Sequence, residues 1–239
     1  MWVLTGALFV LYTLLSVRIH QRMLSNAYDL GIFEQAVRSY ADGHLPVSEL
    51  RAPDFPLLGD HFSPVLALLA PFYAVWRTPV TLLVAQAALV AVSVPPLALW
   101  ACRRLGVGPG LVIGACYGLS WGVASAVGFD FHEVAFAAPL LAWSLAALGG
   151  GRLRAAACWA LPLLFVKDDF GLTVAVVGLV IAWRGDRKLG FAVAVAGVVG
   201  TVVTVLVVLP AFNPAGDFVY WALLDGSSGG GGGGGGLGG

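Results

Sequence analysis

Long apolar stretches, separated by short breaks whose charge changes sign from one break to the next, constrain this chain more than any other feature. Residues 80–102 are followed by Arg103 and Arg104, residues 134–149 by Arg152 and Arg154, and residues 170–183 by Arg184, Arg187 and Lys188. The remaining breaks carry acids and histidines: Phe129-Asp130-Phe131-His132-Glu133 and Lys167-Asp168-Asp169. A helix that crosses a bilayer changes side at each pass. Alternating breaks therefore sort onto two faces, and the basic face is cytoplasmic. The expected fold is all-α, a polytopic transmembrane helix bundle in the cell membrane, with the acidic motifs on the extracytoplasmic side.

Composition supports the bilayer as solvent and partner. The chain is 59% hydrophobic and only 11% charged, against about 25% charged in soluble domains. Its apolar runs are too long and too little alternating for barrel strands. The formal net charge of +0 hides an asymmetry, because the three basic breaks hold seven Lys or Arg and one acid, Asp186. No basic run is interleaved with aromatics, which argues against nucleic acid as a partner. Cys102, Cys116 and Cys158 sit in or beside apolar segments at no metal-binding spacing and read as small apolar residues.

The pattern predicts about seven spans: residues 2–17 (extending to Ile19), 80–102, 107–127, 134–149, 155–166, 170–183 and 189–209. The first lacks a basic leader and a small-residue cleavage site, so it reads as a span. Pro95-Pro96 should bend the second. Residues 18–63 form an external loop. Within it Leu30, Phe33, Val37 and Tyr40 recur at helical spacing, which predicts an amphipathic juxtamembrane helix ended by Gly43. Residues 64–76 are apolar but too short to span, and topology requires them to return to the side they left, so a re-entrant or interfacial helix is expected. Residues 1–225 form one transmembrane domain, and residues 226–239 a disordered glycine-rich tail.

Four polar clusters share the predicted external face. The first is Tyr28-Asp29-Leu30-Gly31 with Glu34, where Asp29 is either a helix cap or a general base or metal ligand. The second is Asp60-His61-Phe62-Ser63-Pro64, an interfacial anchor or a site. The third, Asp130, His132 and Glu133, places three ionisable groups in a tight turn beside the apolar slab, where such groups are costly and usually functional. The fourth, Lys167, Asp168 and Asp169, is either a turn-stabilising ion pair or a lysine for a phosphate headgroup with acids for substrate or metal. No compact metal motif is present; the cofactor is open, with a divalent metal admitted.

These motifs together, from Tyr28-Asp29-Leu30-Gly31-Ile32-Phe33-Glu34-Gln35 through Asp60-His61-Phe62-Ser63-Pro64 and Phe129-Asp130-Phe131-His132-Glu133 to Lys167-Asp168-Asp169, resemble those of a bacterial multi-pass membrane family, domain of unknown function 2079. The resemblance covers residues 27–221. Lys167-Asp168-Asp169 stands where the family's pattern is expected to read Lys-Glu-Asp. That family is in turn similar in layout to the GT-C membrane glycosyltransferases. The likeness implies a polyprenyl-phosphate sugar donor, with Asp29 and Asp130 as catalytic acids. It implies Glu34, His61, His132, Glu133, Lys167, Asp168 and Asp169 as substrate-binding residues. The alternatives are a membrane transporter, or a truncated, non-catalytic membrane protein, since a glycine tract follows soon after Tyr220-Trp221. A transporter should carry ionisable residues within its spans and an inverted repeat, and neither is evident in the sequence.

Overall fold

The computed structural model describes residues 1–25 and 28–214, so the glycine-rich tail lies outside the described residues. Those residues are helical throughout, apart from connections and one isolated β-bridge between Val47 and Pro56. We number the helices α1 (Trp2–Gln21), α2 (Tyr28–Ala41), α3 (Pro64–Val75), α4 (Val80–Leu105), α5 (Val107–Gly118), α6 (Trp121–Gly128), α7 (Glu133–Gly149), α8 (Leu153–Phe165), α9 (Phe170–Trp183) and α10 (Arg187–Phe212).

Three helices, α1, α4 and α10, are long and apolar enough to cross a membrane, at 20, 26 and 26 residues. A fourth joins them if α5 and α6, bent by 42° at Leu119-Ser120, form one broken span. This is fewer than the seven the apolar pattern predicts. The reason is length: α7, α8 and α9 have the composition of spans, but each falls in the 10–17-residue range. A slab of about 30 Å needs about 20 helical residues. The bend expected at Pro95-Pro96 does not divide the helix into two. The helix is interrupted only at Ser93, whose hydroxyl donates to the Val90 carbonyl, and α4 remains one 26-residue helix.

Side-chain contacts order the helices between two ends. Along α1, Leu4 approaches Gly114, Tyr12 Oη donates to the Gly118 carbonyl at 2.6 Å, and Ser16 Oγ donates to that of Val127 at 2.8 Å. Thus α1 runs parallel to α5 and α6 together over its whole length, and the bent pair behaves as one unit. Helix α4 runs the other way, with Cys102 against Gly110, Ala98 against Gly114, and Gln86 against the carbonyls that end α6. Gly149, at the end of α7, meets Trp100 and Arg104 near the end of α4. Helix α8 returns, its Ala156 carbonyl accepting from Ser144 Oγ. In α9 and α10, Gly171, Gly178, Gly190 and Gly197 let the two backbones touch directly. Asn213, just past α10, donates to the Gly59 carbonyl.

One end therefore gathers Arg103, Arg104, Arg152, Arg154, Arg184, Arg187 and Lys188, and the other gathers the acids and histidines. Asp186, the lone acid among the basic breaks, caps α10 by accepting from the Leu189 N–H at 3.1 Å. Helix α4 is the centre of the bundle, with 61% of its most apolar window buried, against 22% for α1 and 28% for α10. The outer faces of α1 and α10 expose large apolar residues such as Val10, Leu14, Val199 and Leu206, a surface that suits lipid.

Helix α2 forms as its spacing requires. Leu30, Phe33 and Val37 are buried, and the chain leaves the helix through Gly43 at φ +80°, a conformation that favours glycine. Helix α3 begins as a 3-10 turn at Pro64 and ends as α-helix, about 20 Å in all. It is fastened to α2 because Tyr73 Oη donates to the buried Glu34 carboxylate, which Arg38 also holds through two contacts of 2.7 and 2.8 Å. Tyr73→Phe should cost about 1.5–3 kcal/mol, the range for a hydrogen bond to a charged group. Hydrogen exchange should then show faster amide exchange in α3 than elsewhere. Equal protection in both proteins would show that the bond does not hold α3.

Candidate functional site

Phe33 is the hub of the acidic end. Its ring is buried in α2 and meets three groups edge-on: His61 at 6.0 Å, Phe131 at 5.8 Å and His132 at 5.0 Å between centroids. Three motifs far apart in sequence thereby meet on one side chain. Asp29, half-buried, lies one helical turn before Phe33 and so on the same face of α2.

Each histidine is backed by a buried carboxylate. His61 Nδ1 donates to Asp60 Oδ2 at 2.9 Å, and Arg51 approaches the same oxygen at 2.5 Å. His132 Nδ1 lies 2.5 Å from Glu133 Oε2, close enough for an ion pair but not aligned as a hydrogen bond. Lys167 Nζ stands 3.9 Å from the other Glu133 oxygen. Glu133 is wholly inaccessible, and neither of its oxygens accepts a hydrogen bond among the described residues; Asp60 Oδ1 and Ser63 Oγ are in the same position. Unpaired buried acceptors are expensive, so the cluster is organised by charge rather than by a closed network.

The loop is held from beneath by Gln86, the single carboxamide of α4. Its Nε2 donates to the carbonyls of Ala126, Phe129 and Asp130 at 3.1–3.5 Å, and its Oε1 accepts from the His132 N–H at 3.0 Å. A carboxamide is suited to this, since it donates and accepts at once. Asp130 is buried.

Two carboxyl groups are displaced in opposite directions. At Asp60 burial works against the charge, but the hydrogen bond and charge of His61 and the charge of Arg51 outweigh it, holding the carboxyl below the usual 3.8. At Asp168 burial, joined by the charge of Asp169, raises it, with the backbone N–H, Lys167 and His61 offsetting only part. Asp168 directly follows Lys167, which stands beside Glu133. Because the folded-state value of Asp60 is lowered, its contribution to stability is complete above about pH 3.8 and is lost as pH falls through the depressed value. In an acid titration followed by intrinsic fluorescence, Asp60→Asn should remove a component that appears only below pH 3.8. A loss already complete at pH 5 would contradict this.

The structure thus brings together His61, His132, Glu133, Lys167 and Asp168, with Asp60 between the first of these and Arg51. It does not bring Glu34 to them as a free group, since Arg38 and Tyr73 take its carboxylate. Asp169 is exposed at the start of α9. Residues not expected from the sequence are Gln86, Arg51, Phe33 and Tyr73. A lone amide in an apolar span was the available signal for Gln86; Arg51 had none. No group of three or more His, Cys, Asp or Glu among the described residues is placed to hold a metal ion. The divalent metal admitted from sequence therefore finds no donor set among the described residues.

An apolar helical bundle with three or four helices long enough to cross a bilayer, and a histidine–carboxylate–lysine cluster at one end, suits a membrane protein. Residues 19–230 match the model of a family described as predicted membrane proteins, DUF2079, and the chain belongs to that family. No curated protein and no solved structure matches it.

Proposed function

We propose that α1, α4, α5 with α6, α7, α8, α9 and α10 all cross the bilayer, with α3 at the interface and the acidic end outside the cell. The shorter helices reach between the same two ends as the long ones. Local thinning of the bilayer accommodates their length.

At that outer end we place transfer of a sugar from a polyprenyl-phosphate carrier, in the manner of GT-C-type glycosyltransferases. The observation that supports this reading most is the meeting of two histidine–carboxylate pairs and Lys167 around Phe33. It supplies proton acceptors and cations within one membrane-proximal site. In the step, an acceptor hydroxyl attacks the anomeric carbon and its proton passes to Asp29. The carbon–oxygen bond to the carrier phosphate breaks, and the departing phosphate keeps the electron pair. Lys167 and Arg51 offset its charge. Glu133 orients His132, and His61, Asp130, Asp168 and Asp169 bind around the sugar and acceptor.

Membranes holding the protein would be incubated with decaprenyl phosphate carrying radiolabelled mannose, glucose or arabinose. Release of label from the carrier is expected with one of them. Asp29→Asn and Lys167→Ala should each lower it by about 10²-fold or more, the range for loss of a general base or a charge stabiliser, with membrane insertion unchanged. Unchanged release in both variants would refute these roles.

A further inference from the structure

The opposite end carries a second built feature. A cavity of about 380 Å³ opens between α4 and α7, lined by Leu97, Trp100, Leu141, Ala142, Leu145 and Gly149 among others. Its walls are apolar, and an arginine stands against two of its lining residues, Trp100 and Gly149. The Arg104 guanidinium lies 5.8 Å over the Trp100 ring and donates to the Gly149 carbonyl at 3.1 Å. Arg152 follows Gly149 by three residues in the same turn, with its Nε 3.7 Å from where a Gly150 Cβ would stand. Both arginines are exposed, and neither makes an ion pair among the described residues. Trp100 Nε1 is buried there without an acceptor. Gly149 is required for this packing, because a Cβ would stand 2.4 Å from that nitrogen.

We infer that this is a binding site for an anionic glycerophospholipid, its phosphate between Arg104 and Arg152 and one acyl chain in the α4–α7 cavity. The volume suits part of a chain and lies in the range of ligand sites. An unpaired guanidinium keeps several donors free for phosphate oxygens. A basic pocket between transmembrane helices selects acidic headgroups over zwitterionic ones. The proposal does not depend on the chemistry assigned to the other end.

Native mass spectrometry of the full chain in neutral detergent tests it, with dioleoyl phosphatidylglycerol and cardiolipin titrated against dioleoyl phosphatidylcholine. One anionic lipid should remain bound at concentrations where phosphatidylcholine does not. Arg104→Ala with Arg152→Ala should weaken retention about tenfold or more. Ala142→Trp, which fills the cavity with both arginines intact, should do the same, while Arg184→Ala with Arg187→Ala, outside the cavity, should not. Equal retention of phosphatidylcholine, no loss in either cavity variant, or equal loss in the Arg184 and Arg187 control would each overturn the site. Displacement of the lipid by millimolar inorganic phosphate alone would show that an anion site exists without the chain.

Discussion

Gly178→Leu is expected to leave almost no monodisperse protein after detergent extraction, with a loss of about 3 kcal/mol, the upper end for overpacking, in what remains. A Cβ at Gly178 would stand 2.4 Å from the Ala194 nitrogen and 2.7 Å from the Gly190 oxygen, both backbone atoms of α10. No side-chain rotation relieves such a contact, so the helices must separate. Gly197 meets Gly171 and Ala175 of α9 in the same way. Between helices in lipid, packing and close approach replace the hydrophobic effect as the attraction, which makes small residues there decisive. Separation would also release Thr201 from the Asp168 carbonyl and so disturb the fourth polar motif. Size-exclusion profiles and thermal melts check this; wild-type behaviour in Gly178→Leu would mean that α9 and α10 are not in backbone contact.

The second large effect is expected at the site. Lys167→Met leaves the inaccessible Glu133 carboxylate with only His132 beside it, and stability should fall by about 3 kcal/mol, at the low end for breaking a buried pair because Lys167 is about a third exposed. Adding Glu133→Gln removes the orphaned charge and should recover most of that loss. The two substitutions together would then be less harmful than Lys167→Met alone, the behaviour of coupled neighbours. Denaturation in detergent measures all three variants. Additive losses would show that Lys167 and Glu133 do not interact.

The helical face of α2 was legible because burial of Leu30, Phe33 and Val37 follows directly from spacing, and Gly43 marks its end. The division of charge was legible because short breaks keep their residues near their helix ends. That Phe33 joins His61 and His132 was not, since contacts between residues tens to a hundred positions apart leave no local pattern. Arg51 reaching Asp60, nine positions on, was hidden because the irregular loop between them carries no periodic spacing. About seven spans were expected, against three or four helices long enough to cross: apolar composition located α7, α8 and α9, whose 10–17 residues fall short of a full span. The 42° break at Leu119-Ser120 had no proline to announce it.

The acidic and basic breaks lie at opposite ends of one bundle, and the acidic end is proposed to face outside the cell. Single cysteines in a background without Cys102, Cys116 and Cys158 test it most directly. Intact cells would be treated with a membrane-impermeant maleimide at exposed positions of each end. Glu49→Cys and Asp169→Cys should label without permeabilisation, whereas Arg152→Cys and Arg187→Cys should label only after it. Labelling of all four in intact cells, or of the arginine positions alone, would contradict the account.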